Sequence, residues 1–131
     1  MRALLDTNVL ISAFLTEGLC SKLLLRANKG EFEHWTCHFI LNEFEEKLET
    51  QFMLTRTEIE EAVMLVKEVS MIAHPDDSIR GICRDADDDA VLACAIGAQV
   101  DYVITGDRDL LVLAKYKGIR IMNPRDFEML F

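Results

Sequence analysis

Short apolar runs alternate along the chain with longer stretches in which apolar residues recur at helical spacing. The runs predict strands near residues 2–5, 33–37, 71–74, 101–105 and 119–122. The longer stretches predict helices near residues 8–16, 21–29, 39–50, 58–70, 88–98, 108–116 and 125–130. This alternation is typical of a parallel sheet with helices on both faces. We therefore predict a three-layer α/β/α fold with a central, mostly parallel sheet of about five strands.

Several boundaries carry local signals. Thr57 with Glu60 three residues later predicts a capping box at the start of the fourth helix. Gly30 and Gly118 lie where helices are expected to stop, and Pro124 suits a first helical turn. No linker, repeat or low-complexity segment interrupts the pattern. One domain spanning residues 1–131 is therefore expected.

Acidic residues follow two of the predicted strands and open a predicted helix. Asp6 comes directly after the first strand, and Asp107 comes just after the strand near 101–105. Right-handed crossovers place the carboxyl ends of parallel strands along one edge, where α/β folds bind ligands. Asp89 shares a helix face with Leu92 and Ile96, so it is expected to point toward the same region. Carboxylates gathered there predict a divalent-metal site.

Each acid also has a purely structural interpretation. Asp6 is a good N-cap for the helix that follows it, and Asp87, Asp88 and Asp89 would all complement a helix dipole. Glu43, taken alone, is more often a solvated helix residue than a ligand. Periodicity does not choose between Glu43 and Glu49. The metal site is predicted because several separate acids converge, and no single one establishes it.

Charge and cysteine usage narrow the class of protein. The formal net charge of −9 argues against a nucleic-acid binder that works by surface electrostatics alone, but it does not exclude an enzyme. Four cysteines without CxxC spacing favour reduced thiols, and zinc at His34, Cys37 and His38 has only weak support. No apolar run approaches the ~20 residues that span a bilayer. A cytoplasmic protein without a membrane partner is expected.

Four segments together resemble the PIN-domain ribonuclease family, especially the branch identified as toxins of prokaryotic toxin–antitoxin systems. Each is weak alone, but their order and spacing are specific, and the resemblance covers almost the whole chain. The segments are Leu5-Asp6-Thr7-Asn8-Val9-Leu10, Leu41-Asn42-Glu43-Phe44, Cys83-Arg84-Asp85-Ala86-Asp87-Asp88-Asp89-Ala90-Val91-Leu92-Ala93 and Val103-Ile104-Thr105-Gly106-Asp107-Arg108-Asp109-Leu110.

This resemblance implies a PIN-like fold and assigns roles to particular residues. It implies that the catalytic, metal-binding carboxylates are Asp6, Glu43, Asp89 and Asp107. Asp109 is implied as an added or alternative ligand. The relative roles of Asp107 and Asp109 stay open. Polar positions that commonly support such a site match Thr7, Asn8 and Thr105. Arg84 and Arg108 adjoin proposed site acids and are expected to contact substrate phosphates.

The expected activity follows from the ligand chemistry and the resemblance. Hard oxygen ligands favour Mg²⁺ or Mn²⁺ over zinc. We expect an endoribonuclease that hydrolyses single-stranded RNA and is held by a protein antitoxin. Whether it also forms a homodimer stays open at this point. The alternative is a non-catalytic PIN-type scaffold that binds RNA or protein. A phosphate-accepting receiver domain lacks support, because the expected phosphorylated aspartate is replaced by His74-Pro75-Asp76-Asp77 after the third strand.

Overall fold

The computed structural model describes residues 1–131 and contains one six-stranded sheet. The strands lie in the order β3-β2-β1-β4-β6-β5, and every neighbouring pair is parallel except β5 with β6. The mostly parallel α/β prediction is confirmed. The strand bounds are β1 Arg2–Leu5, β2 Glu33–Thr36, β3 Ser70–Ile72, β4 Tyr102–Ile104, β5 Lys115–Tyr116 and β6 Ile119–Met122.

Seven helices connect and cover these strands. Helix α1 packs on α2 and α3, α2 packs on α7, and α3 packs on α4 and α5. None of the helices alone has the length and apolarity to cross a membrane, and only the bent pair of α1 and α2, with 99° between them, meets that test jointly. The helix bounds are α1 Thr7–Leu15, α2 Leu19–Asn28, α3 His38–Thr50, α4 Arg56–Glu68, α5 Ala86–Ala98, α6 Arg108–Leu113 and α7 Pro124–Glu128.

The centre of the molecule is formed by β1, β4 and α5. Ala3, Leu4 and Leu5 of β1 are fully buried, as a strand with neighbours on both edges requires. Helix α5 is buried along most of its length, as its nearly continuous apolar sequence predicts. A Cβ added at Gly97 of α5 would lie only 1.8 Å from the carbonyl oxygen of His74. The backbone approach at Gly97 therefore fixes how deeply α5 lies against the segment after β3.

Two predicted boundaries are wrong in detail. The helix predicted near 108–116 ends at Leu113, and Lys115–Tyr116 instead forms an edge strand paired with β6. Lys117 and Gly118 between these strands have φ of 48° and 83°, as a tight hairpin turn requires. Gly118 therefore makes a strand turn and does not stop a helix.

The start of α4 also differs from the prediction. The capping box is made by Thr55 and Glu58, two residues before the predicted pair of Thr57 and Glu60. Both threonines have a glutamate three residues later, so the motif alone does not distinguish them. The observed start places Arg56 where it bonds both Glu45 of α3 and Glu60 of α4.

Cys37 and Cys94 form a disulfide, which contradicts the prediction of reduced thiols for this pair. Cys37 precedes α3 and Cys94 lies in the middle of α5, with their Cα atoms 6.2 Å apart. Their separation of 57 residues follows no recognisable spacing, so only the tertiary fold reveals the pair. The weak zinc alternative also fails, because the Cys37 sulfur is already bonded. Cys20 and Cys83 are free.

His34 of β2 is buried and held in one neutral form. Its Nε2 accepts from the Leu5 backbone N–H at 3.4 Å, and its Nδ1 lies 2.7 Å from the Ser70 hydroxyl, which donates to the Val66 carbonyl. Burial lowers the pKa of His34 to about 4, so the side chain folds without its proton.

We predict that His34 makes the folded state sensitive to acid. Because its folded pKa is about 4 against an ordinary value of 6.5, its stabilisation is complete above pH 6.5 and is lost as the pH falls toward 4. The loss amounts to at most about 3 kcal/mol of the free energy of unfolding. Urea unfolding of wild type and His34→Gln from pH 7 to pH 4 measures it. A constant difference between the two proteins over that range would contradict the prediction.

Candidate metal centre

The acids predicted from strand ends meet at one edge of the sheet. Asp6 follows β1 and caps α1, while Asp107 follows β4 and caps α6. Strands β1 and β4 are parallel neighbours, so the two carboxylates emerge side by side. Asp88 and Asp109 lie in the first turns of α5 and α6. Helix starts and strand ends thus bring acids from three parts of the sequence together.

Three of these carboxylates form a compact group. One oxygen from each of Asp88, Asp107 and Asp109 lies within 4.8 Å of the other two. Asp107 uses Oδ1 to cap α6, accepting from the Asp109 and Leu110 backbone N–H groups at 2.8 and 3.1 Å. Its other oxygen makes no hydrogen bond within the protein. Oxygen atoms at this spacing are suited to a hard divalent cation.

Asp6 borders this group through a chain of hydrogen bonds. The Asp107 N–H donates to the Thr105 hydroxyl at 3.0 Å, and that hydroxyl donates to Asp6 Oδ2 at 2.7 Å. Burial raises the pKa of Asp6 above its ordinary value, the Thr105 and Thr7 hydrogen bonds oppose this rise, and repulsion from Glu43 and Asp107 adds to it. Glu43 therefore acts on the same pocket from α3.

Asp88 is the buried acid of the group with an unsatisfied oxygen. It is 7% exposed, and its Oδ2 is buried without a hydrogen-bond partner. Burial raises the pKa of Asp88 to about 6, with further contributions from Asp107, Asp85, Asp6 and Asp109. A buried carboxylate oxygen without a partner is costly unless a cation or a proton satisfies it. The residues present therefore fit a divalent metal.

Asp89, the predicted ligand, lies outside the three-carboxylate group. Its Oδ1 accepts from the Ile82 and Cys83 N–H groups at 3.1 and 2.7 Å, and its Oδ2 accepts from Gly81 at 2.9 Å. These hydrogen bonds, led by the one from Cys83, hold the pKa of Asp89 below its ordinary value. Successive helical residues differ in direction by about 100°, so Asp88 and Asp89 face different surroundings.

Sequence reasoning passed over Asp88 in favour of its neighbour. Asp88 stands three, four and seven residues before Val91, Leu92 and Ala95, all of which are buried. This spacing was visible in the sequence and is as regular as that of Asp89. Periodicity therefore points to both aspartates, and the contacts of the folded chain distinguish them.

Basic and polar groups lie next to the acid group. Arg84 Nη2 lies 2.9 Å from Asp109 Oδ1, while Arg108 is exposed and makes no ion pair. Lys47, which sequence reasoning did not select, donates to Asn8 Oδ1 at 3.2 Å. Thr7 is buried, and its hydroxyl oxygen has no hydrogen-bond partner. The rim thus combines free donors with a few basic side chains.

Comparison with known proteins gives a family match and a fold match. A family model described as a PIN domain matches residues 2–109. VapBC2 from Rickettsia felis, solved bound to a promoter DNA fragment, has a TM-score of 0.68 at 12% identity, with 94% of this chain and 98% of that chain covered. No curated protein matches the chain significantly.

Two further solved structures share the fold. FitAcB from Neisseria gonorrhoeae has a TM-score of 0.61 at 18% identity, covering 94% of this chain and 98% of that chain. PAE2754 from Pyrobaculum aerophilum has a TM-score of 0.59 at 20% identity, covering 99% of this chain and 89% of that chain. At these identities the similarity establishes the arrangement of strands and helices.

Proposed function

The chain belongs to the PIN-domain family, and we propose that it is a metal-dependent endoribonuclease acting on single-stranded RNA. The observation that carries this proposal is the group of Asp88, Asp107 and Asp109, with a buried Asp88 oxygen that has no partner. A scaffold without activity would gain nothing from this arrangement, since carboxylates placed this close together repel one another. The intact acid group favours the enzyme over a non-catalytic PIN-type scaffold.

The proposed ligand set differs from the sequence-based one in two respects. Asp88, Asp107 and Asp109 would hold the ion, so Asp88 takes the place of Asp89, and Asp6 and Glu43 become neighbours of the group. We replace Asp89 by Asp88, because the Asp89 oxygens are already engaged by three backbone N–H groups. Asp107 and Asp109 both belong to the group, so neither excludes the other. Mg²⁺ and Mn²⁺ suit a set made only of oxygens.

The residues around the group have separable tasks in phosphodiester hydrolysis. Mg²⁺ or Mn²⁺ held by Asp88, Asp107 and Asp109 would supply an activated water and would neutralise charge on the phosphate. The Thr105 hydroxyl donates to Asp6 Oδ2 and so fixes its direction, and the cap made by Asp107 Oδ1 leaves the other Asp107 oxygen without a hydrogen bond. Attack of water at phosphorus would break the bond to the 3′-oxygen, which takes up a proton and becomes the 3′-hydroxyl end, while the phosphate stays on the 5′-oxygen. Arg84 and Arg108 would hold the phosphates.

We also propose a toxin role and a protein antitoxin as partner. An apolar groove of about 310 Å³ runs between α1, α2 and α4, lined in part by Phe14, Leu24, Leu25 and Leu65. Leu25 and Leu65, which both line the groove, are each 51% exposed, and exposed apolar side chains grouped in this way mark interaction surfaces. A helix with an apolar face would fit this groove. A homodimer is the alternative occupant, and sedimentation of the isolated protein separates the two.

Mn²⁺ is expected to raise the melting temperature, because an ion that binds only the folded site stabilises it by mass action. At a concentration 100 times the dissociation constant, the gain is about 2.7 kcal/mol. Asp88→Asn and Asp107→Asn should each remove most of this shift. Glu49→Gln, on the exposed side of α3, should retain it. Differential scanning fluorimetry with and without Mn²⁺ measures the change.

The same proteins test hydrolysis directly. Wild type with Mn²⁺ should cut a single-stranded RNA to fragments that carry 5′-phosphate, and chelation of the ion should stop cleavage. Equal thermal shifts in all variants would mean that Mn²⁺ binds diffusely to an acidic surface. A normal shift in wild type without any RNA cleavage would instead favour the scaffold.

A further inference from the structure

We propose that Asp89 is a positioning residue: it holds the segment Gly81–Arg84, which we name the clamp segment, so that Arg84 grips an RNA phosphate beside the acid group. The inference rests on the proposed ribonuclease function and assigns Asp89 to substrate binding. Arg84 would contact substrate, whereas Asp89 would act only through the clamp segment.

The clamp segment depends on Asp89 for its place. No backbone–backbone hydrogen bond joins Gly81, Ile82, Cys83 or Arg84 to the rest of the chain. Three of their four N–H groups instead converge on the Asp89 carboxylate, at 2.7 to 3.1 Å. Charge-assisted hydrogen bonds of this kind are about twice as strong as neutral ones. The carboxylate therefore replaces the ladder that a strand or a helix would supply.

Packing supports the segment mainly at one residue, Cys83, whose side chain packs against the hydrophobic core. A cavity of about 450 Å³ lies between the start of α3, the segment after β3 and α5, with Gly81 and Asp89 among its lining residues. Ile82 is 40% exposed and does not anchor the segment in the core. Gly81 adopts a φ of 70°, a conformation that side chains rarely tolerate. Loss of the Asp89 carboxylate would therefore free the segment.

Arg84, the last residue of the clamp segment, lies beside the three-carboxylate group. Its Nη2 donates to Asp109 Oδ1 at 2.9 Å, although its side chain is 87% exposed. The guanidinium thus reaches from the start of α5 to the start of α6, beside the three-carboxylate group. A guanidinium has five N–H donors, and Nη2 is the nitrogen that holds Asp109, so others remain for a phosphate.

The negative net charge of the protein explains why the position of a single arginine would affect RNA binding. The protein carries a net charge of −9, so a polyanion is repelled unless cationic groups are concentrated at the point of contact. Asp88 and Asp89 are consecutive residues of α5, and one faces the acid group while the other holds the clamp segment. A single helical turn therefore sets the distance between the metal ligands and the phosphate contact.

A double-mutant cycle tests whether Asp89 acts through Arg84. Wild type, Asp89→Asn, Arg84→Ala and the double variant are compared for kcat and KM on single-stranded RNA with Mn²⁺. We expect each single variant to raise KM by about tenfold, as for a lost charge-assisted contact. The double variant should be within about twofold of the single ones. Mn²⁺ affinity, measured by calorimetry without RNA, should stay within about threefold of wild type in all four proteins.

Asp87→Asn is the matched control, since Asp87 lies in the same turn, is exposed and its carboxylate makes no hydrogen bond. It should match wild type in KM. Multiplication of the two single effects to about 100-fold would overturn the proposal, because independent residues add in free energy. Loss of Mn²⁺ binding in Asp89→Asn would also overturn it and make Asp89 a ligand.

Amide hydrogen exchange separates this inference from the proposed function. Gly81, Ile82 and Cys83 should exchange faster in Asp89→Asn than in wild type, with the rest of the protein unchanged. Unchanged exchange would overturn the positioning role even if RNA cleavage is confirmed. Faster exchange in Asp89→Asn together with no RNA cleavage by wild type would mean that Asp89 does hold the clamp segment but that the proposed ribonuclease function is wrong. The assignment of Arg84 to an RNA phosphate would then fail with that function. If Asp89→Asn does not fold, Arg84→Ala at its exposed site still decides whether the clamp contacts RNA.

Discussion

RNA hydrolysis is expected to fall by about 10³-fold in Asp88→Asn, because the loss of one ligand removes several kcal/mol of charge stabilisation and each 1.36 kcal/mol is tenfold. Asn keeps the size of the side chain and one oxygen, so the change tests the charge. The rate is measured on single-stranded RNA at saturating Mn²⁺, with a purified variant. Asp87→Asn should retain the wild-type rate.

The same substitution should stabilise the protein in the absence of metal. The pKa of Asp88 is raised to about 6, so its protonated form is favoured by folding, and this stabilisation is lost as the pH rises through 6. Above pH 6 a neutral side chain therefore relieves repulsion and raises the free energy of unfolding by about 1–3 kcal/mol. Below pH 4 the variant and wild type should converge.

One outcome would contradict this assignment, and another would leave the rate uninterpretable. Full activity in Asp88→Asn would remove Asp88 from the site and return the ligand role to Asp89. Inactivity combined with a lower stability at pH 7 would mean that the substitution damages the fold, and the lost rate would then say nothing about a metal ligand.

Reduction of the disulfide between Cys37 and Cys94 is expected to lower the free energy of unfolding by about 4 kcal/mol. The estimate follows from loop-closure entropy for a separation of 57 residues, and native-state strain makes measured values smaller. Chemical unfolding with and without a dithiol reductant measures the difference. Both sulfurs are buried, so the reduced state is best prepared by refolding under reductant.

Cys37→Ala/Cys94→Ala provides the control for that experiment. The double variant should be less stable than oxidised wild type and insensitive to reductant. Cys20→Ala, at one of the two free cysteines, should respond to reductant as wild type does. An identical unfolding curve for wild type with and without reductant would show that the thiols are not joined in solution.

The sequence predicted the architecture because the core pattern is strong. Strand β1 is a continuous apolar run between polar ends, and α5 is apolar on nearly all sides after its first turn. Both patterns therefore predict burial. The short strand β5 was not predicted, because Lys115–Tyr116 has no apolar pattern. It forms a strand only because it pairs with β6. The disulfide was missed because it depends on a tertiary approach of two helices.

The candidate site was predictable where topology alone determines position. Asp6 and Asp107 follow neighbouring parallel strands, and that arrangement brings them together regardless of side-chain detail. The choice between Asp88 and Asp89 is different, because it depends on the rotation of α5 about its own axis. Helical periodicity leaves both residues possible, and only the folded chain shows that Asp89 is engaged by backbone N–H groups of the clamp segment.

The disulfide has a geometric consequence for that rotation. Cys94 lies two turns after the first residues of α5, and its bond to Cys37 attaches one side of the helix to the start of α3. A helix that is covalently attached through one side cannot rotate freely about its own axis. The disulfide therefore restricts the rotation of α5 about its own axis. This restriction keeps Asp88 directed toward Asp107 and Asp109 while Asp89 stays directed toward the clamp segment.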